Sequence, residues 1–189
     1  MTVSEIFSRI NAHMVEGMML HDEMANYYDF LGLMGFKRLH EYQFFKESAE
    51  MRGISRYYTN HYNMLIKKSE INYQTNIPST WYNYNRKQVD SGTKRNAIKS
   101  AMEKWCAWES ETKKMYENMY SELCSLHEIA AACKVKELIK DVDMELKRAD
   151  RLHLKLQSMD YDLITIVLMQ DEMHEHYHEK SKHLGVNIC

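Results

Sequence analysis

Proline and glycine are scarce in this chain of 189 residues. Average usage would give roughly 9 prolines and roughly 13 glycines, whereas the sequence has 1 and 6. A β-sandwich needs frequent turn residues, so this scarcity excludes that class. There is no uncharged apolar run of about 18 residues, as a transmembrane helix requires, and the N-terminus MTVSEIFSRI lacks the apolar stretch of a signal peptide. We therefore expect a cytoplasmic protein without a membrane partner.

The sequence also lacks a strong charge bias and a disulfide framework. Its formal net charge is -2, so no global attraction to nucleic acid exists and no nucleic-acid partner is expected. The four cysteines form no CxxC pair and show no scaffold spacing, which predicts reduced thiols. They are Cys106, Cys124, Cys133 and Cys189.

What the chain does have is a series of long amphipathic segments with apolar residues at helical spacing. Such long helices must pack lengthwise against one another. The pattern predicts one all-α domain over residues 1–189, an antiparallel four-helix bundle with a long crossover between helices 2 and 3 and an extra C-terminal helix. The predicted helices cover about residues 3–33, 36–68, 94–131, 134–159 and 161–184.

Breaks between the segments fix this order. Gly32 and Gly35 mark a turn in LGLMG, and a weaker break lies near residues 130–134. Residues 69–93 hold the only proline. This segment predicts the one long loop of the chain, with a short helix around residues 79–87. Three aromatic residues of this loop suggest a contact surface within the chain or between subunits. They are Trp81, Tyr82 and Tyr84.

A bundle interior can hold metal when carboxylates and histidines project inward, and an acid-x-x-His pair places both ligands on one helix face. Three such pairs occur, none of them on the second segment, where a di-metal site would need one. They are Asp150/His153, Asp171/His174 and Glu175/His178.

Some polar residues interrupt apolar faces. Glu109 lies in the stripe of Met102 and Trp105, where a carboxylate is costly unless it is paired or bound to metal. Glu47 and His21 occupy similar positions. The alternative interpretation is an ion pair at the edge of the core for the acids and a hydrogen-bonded core residue for the histidine.

Equal rise along paired helices gives expected neighbours. In the first hairpin His21 faces Glu47. If the second turn is centred near Cys133, Glu117 faces Asp150.

The C-terminal DEMHEHYHEKSKH is the densest group of metal-ligand residue types. His174 and His178 are four residues apart on one helix, a spacing that can chelate a cation. The alternative is a solvated, polar helix end.

One stretch resembles a known family. MGFKRLHEYQFFKESAEMR, residues 34–52, is similar to the turn and second helix of bacterioferritins. The crossover and the helix AMEKWCAWESETKKMYENMYSELCSLHEIAA resemble ferritins, and LHE at 39–41 resembles DNA-protecting mini-ferritins. The resemblance spans about residues 5–160. It implies a ferritin-like fold, assembly into homo-oligomers, and iron or another divalent metal bound inside the bundle.

The resemblance implies an incomplete ligand set. The second-helix glutamate of the family falls on Glu50, but its histidine partner falls on Gly53. The first-helix glutamate falls near Gly17, with Glu16, His21 and Glu23 as substitutes. The haem-ligating methionine of bacterioferritins falls on Met51, although no haem is expected.

On the other two helices the resemblance leaves two registers open. The third-helix glutamate resembles Glu109, although spacing favours Glu117, and the second acid-x-x-His resembles Asp150/His153. Under the ferritin register the same region would instead be Glu145. The candidate metal ligands are His21, Glu23, Glu50, Glu109, Asp150 and His153.

Two functions remain open at this stage. One is a ferritin-like protein that binds iron or another divalent metal in the bundle core through a divergent site, with weak or absent ferroxidase activity. The other is a metal-free ferritin-like scaffold that acts as an oligomer or binds a partner, as Gly53 and the aromatic crossover suggest. Association with DNA has the least support because the net charge is near zero.

Overall fold

The computed structural model describes residues 1–67, 71 and 89–184. Within this part of the chain every regular element is a helix, which confirms the predicted all-α class. The first two helices pack together, as do the third and fourth, and the last helix packs on the second. The helices are α1 (Val3–Phe30), α2 (Met34–Tyr62), α3 (Ser91–Ser125), α4 (Ile129–Ser158) and α5 (Leu163–His183).

Contacts between distant parts of the chain give the direction of each helix. The Met1 ammonium lies 3.1 Å from Glu122 Oε2, so α1 starts where α3 ends. The Tyr62 hydroxyl donates to Glu128 Oε2 at 3.0 Å, so α2 ends where α4 starts. Because α1 and α2 are joined by a short turn, α2 and α3 run in the same direction. The end of α2 and the start of α3 therefore lie at opposite ends of the bundle, as the predicted crossover between helices 2 and 3 requires. The expected helix at 79–87 and its aromatic residues lie outside the described residues.

The turn between α3 and α4 corrects the predicted break near residues 130–134. α4 already begins at Ile129, and the chain reverses at His127, which has a left-handed φ of 59°. The amide of Glu128 donates to the carbonyl of Leu123 at 3.0 Å and closes the end of α3. A histidine in this conformation carries no glycine signal, so the sequence did not reveal it.

This shift changes which residues face each other. Moving the turn from Cys133 to His127 moves the α4 residue opposite any α3 residue about twelve positions toward the N-terminus. Glu109 therefore lies near Glu145, whose charge influences its titration. The predicted pairing of Glu117 with Asp150 is wrong for the same reason.

The core consists of two apolar clusters. One gathers Leu20, Leu39, Trp105 and the buried residues of α5 around Ile166. The other, towards the opposite end of the bundle, lies around Ile6. The residues between them on α1 to α4 include most of the buried acids, so the polar groups form a layer across the middle of the bundle.

Two further expectations concern membrane-spanning helices and the state of the thiols. Among the described helices, none is both long and apolar enough to cross a membrane. Cys106, Cys124 and Cys133 are free thiols, whereas Cys189 lies outside the described residues. Met51 packs against the second apolar cluster.

The position of α5 depends on the absence of a side chain at Gly35. The Gly35 amide donates to Gln170 Oε1 at 2.7 Å. A Cβ at Gly35 would lie 2.7 Å from the Gln170 carbonyl oxygen and 2.8 Å from Met173 Cβ. Only glycine therefore lets the start of α2 approach α5 this closely.

Replacing Gly35 by alanine should lower the free energy of unfolding by about 1–3 kcal/mol, because α5 must move away from α2. Urea denaturation followed by circular dichroism measures this change. Gly53→Ala is the matched control, since a Cβ there meets no atom within 4 Å. It should raise stability by about 0.5–1 kcal/mol through its better helix propensity. If Gly35→Ala were as stable as Gly53→Ala, the close approach would not matter.

Candidate metal centre

Four carboxylates gather in the middle layer of the bundle, and we call Glu47, Glu50, Glu109 and Glu145 the acid layer. The ammonium of Lys46 lies among them. Its Nζ is 2.9 Å from Oε1 of Glu145 and 3.4 Å from Oε1 of Glu50. A single cationic side chain of α2 thus bridges an acid of its own helix and an acid of α4.

Glu145 is the best compensated member of the layer. Gln43 Nε2 donates to its Oε2 at 2.6 Å, and Arg148 Nη1 donates to the same oxygen at 2.7 Å. Burial alone would raise the pKa of Glu145, but the charges of Lys46 and Arg148 and the hydrogen bonds outweigh it and hold the pKa below its usual range. Glu145 is therefore ionised at neutral pH.

Lys46 is the counter-charge in this network. Burial alone would lower its pKa, but Glu50 and Glu145 together raise it above the ordinary value. The side chain is therefore a permanent ammonium group, held in place by hydrogen bonds to carboxylates.

The other acids of the layer hold protons more tightly. Burial raises the pKa of Glu109 to about 7, although its Oε1 accepts a hydrogen bond from Trp105 Nε1 at 2.8 Å. Burial raises the pKa of Glu47 well above its usual value, and the charges of Glu50 and Glu109 raise it further. The layer thus combines ionised and protonated carboxyl groups.

Glycine on α1 shapes this layer. A Cβ built on Gly17 would lie 3.2 Å from Glu47 Oε1 and 3.3 Å from Trp108 Cζ2. The Glu47 carboxyl and the Trp108 ring therefore fill the space that a larger side chain of α1 would take. The predicted opposition of His21 and Glu47 is wrong, because the first turn is centred on Gly32 and places Gly17 opposite Glu47.

His21 instead bonds to a second histidine. Its Nδ1 lies 3.0 Å from Nδ1 of His40, and both side chains are almost completely buried. The His40 ring stacks on Tyr28 at 5.3 Å and meets Trp105 edge-on at 5.2 Å. Burial lowers the pKa of His21 to about 3, and burial and His21 lower the pKa of His40 well below its usual value. Both rings are therefore neutral at pH 7, and one must donate to the other.

The chain matches no model of a known protein family and no curated protein sequence. It does match solved structures. An open-pore ferritin from the hyperthermophilic archaeon Archaeoglobus fulgidus superposes with a TM-score of 0.75 at 15% identity, covering 90% of this chain and 94% of that one. The chain has a ferritin-like fold.

Other solved structures agree with this ferritin-like fold. A closed form of the Archaeoglobus fulgidus ferritin, made by site-directed mutagenesis, gives a TM-score of 0.74 at 16% identity and covers 92% of this chain and 96% of that one. A PmFTN variant soaked in iron gives 0.71 at 10% identity over 88% and 95% of the two chains. Identities this low establish the fold alone.

The ferritin-like bundle brings only some of the six predicted ligands together. Glu50 and Glu109 belong to the acid layer. The other predicted ligands have different surroundings: His21 bonds to His40, Glu23 lies near Lys104, and Asp150 accepts a hydrogen bond from Cys106. The sixth, His153, lies with its Nε2 3.4 Å from the Tyr161 hydroxyl.

The donor set does not fit a di-metal centre. Over residues 1–67, 71 and 89–184, no three histidine, cysteine, aspartate or glutamate side chains are arranged to hold a metal ion. Gly17 supplies no ligand from α1, and the Lys46 ammonium lies where the carboxylates of α2 and α4 approach each other. The metal-ligand assignment made from the sequence therefore stays a prediction.

Lys46 was not predicted from the sequence to belong to the site, and Glu145 was predicted only as the alternative to Asp150. Lys46 and Glu50 are four residues apart on one helix, and this i, i+4 spacing was a visible signal for an ion pair. The C-terminal histidines are partly engaged as well, since His174 Nε2 accepts from Arg38 Nε at 3.1 Å while its ring lies parallel to His178 at 6.3 Å.

Proposed function

We propose that this chain is a ferritin-like structural protein that assembles with copies of itself and carries an ion-pair network in place of a di-metal centre. One observation carries the proposal: Lys46 Nζ bridges Glu145 and Glu50 inside the bundle. A partly buried ammonium compensates carboxylates as a metal cation would, and it repels a second cation placed beside it.

The chemistry of iron oxidation supports the same view. A ferroxidase centre needs carboxylate and imidazole ligands from several helices, with an open position for oxygen. Here the α1 residue that faces Glu47 is Gly17, which has no side chain to bind a metal. The neutral His21 is hydrogen-bonded to His40. The ion pairs of Lys46 with Glu145 and Glu50 stabilise the bundle where a bound metal would otherwise hold the carboxylates.

Self-assembly is supported by an apolar face on α5. Ile164, Val167 and Leu168 are 73%, 55% and 75% exposed and lie on one face of the helix at i, i+3, i+4 spacing. Contiguous apolar surface of this kind marks interaction sites. Light scattering should give a mass several times that of one chain.

Aerobic incubation with Fe(II), followed by absorbance, tests the proposal directly. We expect oxidation no faster than in buffer, because within residues 1–67, 71 and 89–184 no group of ligands is arranged to hold iron. Elemental analysis of the purified protein should find no stoichiometric iron. Stimulated oxidation that disappears in both Glu50→Gln and Glu109→Gln would overturn the proposal.

A second candidate function, binding of iron or another divalent cation in the core, is favoured by Glu47. This acid has a raised pKa and lies close to Glu50 and Glu109. A cation bound here would have to displace Lys46 and release protons, so its binding would strengthen with pH.

Calorimetric titration with Mn²⁺ at pH 6 and pH 8 separates the two candidates. On the second candidate, affinity rises with pH and rises again in Lys46→Gln, whereas the surface control Lys136→Gln leaves it unchanged. On the structural proposal, the native chain binds no Mn²⁺ in the core at either pH.

A further inference from the structure

A cavity of about 370 Å³ opens between α4 and α5, and Arg148 connects its lining to Glu145 of the acid layer. Its floor is apolar. Tyr177 is 6% exposed and belongs to the first apolar cluster, and Leu152 and Met173 pack against that cluster. The floor of the cavity is therefore continuous with the core and is held rigidly.

The rim of the cavity is cationic. Arg148, Arg151 and Lys155 project from α4, and Glu172 is the acid of the lining. In a chain with a net charge of -2, this is a local concentration of positive charge. Arg148 is fixed by its ion pair with Glu145 at 2.7 Å.

Arg151 and Lys155 differ from Arg148. Both are exposed and form no ion pair with any residue that the structure describes. The rim potential also acts on the neighbouring imidazole: burial lowers the pKa of His176, and the charges of Lys180 and Arg148 lower it further. Two cationic heads are therefore available to an anion at the mouth of an apolar cavity.

We propose that this cavity binds a small amphiphilic anion, namely a medium-chain acyl carboxylate. The acyl chain covers Leu152 and Met173, and the carboxylate meets Arg151 and Lys155. The volume falls within the range of about 300–1,000 Å³ that is usual for small-molecule sites. A purely hydrophilic anion would leave the floor uncovered, and a neutral apolar molecule would leave both cations without a partner.

Calorimetric titration of the full chain with decanoate, kept below its micellar concentration, tests this site. We expect one site per chain. Arg151→Gln/Lys155→Gln should weaken binding at least about tenfold, because both charged hydrogen bonds to the carboxylate are lost. The matched control Lys136→Gln/Lys140→Gln removes the same charge from another part of α4 and should stay within about twofold. Circular dichroism checks that each variant folds.

Two competing ligands test the two halves of the proposal. Decanamide keeps the apolar chain without the charge, and inorganic phosphate keeps the charge without the chain, so both should bind at least about tenfold more weakly than decanoate. Leu152→Trp, which fills the cavity, should abolish binding without changing the rim. The proposal is overturned if decanoate does not bind, if the rim variant binds it as the native chain does, or if decanamide binds equally well.

Discussion

Replacing Lys46 by methionine should lower the free energy of unfolding by about 3–5 kcal/mol. The reason is that Glu145 stays ionised in the interior after its main counter-charge is removed, and the repulsion between Glu145 and Glu50 is no longer offset. Urea denaturation at pH 7.5, followed by circular dichroism, measures the loss. Methionine is unbranched and only one atom shorter than lysine, so the change removes mainly the charge.

Two comparison variants make this result specific. Lys134→Met removes a surface ion pair with Glu137 and should cost less than about 1 kcal/mol. Lys46→Met/Glu145→Gln removes both charges of the buried pair and should recover part of the loss, because no uncompensated carboxylate remains. A loss in Lys46→Met no larger than in Lys134→Met would show that the ion-pair network does not hold the bundle together.

Glu109→Gln should gain stability relative to the native chain as the pH rises from 5 to 8, by about 2.5 kcal/mol. Burial raises the pKa of Glu109 from 4.5 to about 7 in the folded chain. The folded state therefore binds this proton more tightly than the unfolded state. Its contribution to stability is complete below pH 4.5 and is lost as the pH rises to about 7.

Glutamine does not titrate, but its oxygen still accepts the Trp105 hydrogen bond. The measurement is the difference in free energy of unfolding between variant and native chain at pH 5 and at pH 8. Met102→Leu, in the same stripe, is the control, and its difference from the native chain should not depend on pH. A constant difference for Glu109→Gln would contradict the prediction.

The histidines explain why a difference measurement is needed. Burial lowers the pKa of His13 to about 4 and that of His21 to about 3, and it lowers the pKa of His40 well below its usual value. Each contributes stability that is present above about pH 6.5 and is lost as the pH falls toward its folded-state pKa. Between pH 4.5 and 6.5, rising pH therefore removes stability through Glu109 and adds stability through the histidines. The histidine contribution cancels when the Glu109→Gln variant is compared with the native chain.

The fold could be predicted from the sequence because its breaks are few and its helices long. Gly32 takes the left-handed φ of 73° that its position in a turn suggested, and the long break fell between α2 and α3. Helix ends were less predictable, since α2 ends at Tyr62 rather than 68 and α3 at Ser125 rather than 131.

The site was only partly predictable because it depends on register. A turn displaced from Cys133 to His127 places Glu145 beside Glu109 instead of a residue about twelve positions later in α4, although no residue type changes. The second obstacle was Lys46, which follows two phenylalanines and precedes a glutamate. The sequence alone indicates a surface lysine there, because its carboxylate partner on α4 is known only from the structure.

Gly17 makes a metal-binding interior hard to introduce into this bundle. The Cβ of an acidic residue introduced there would lie 3.2 Å from Glu47 Oε1 and 3.3 Å from Trp108 Cζ2. Both neighbours would have to find other positions, and Lys46 would still occupy the opposite side. A single substitution at Gly17 therefore cannot supply a metal ligand from α1 without several coordinated changes around it.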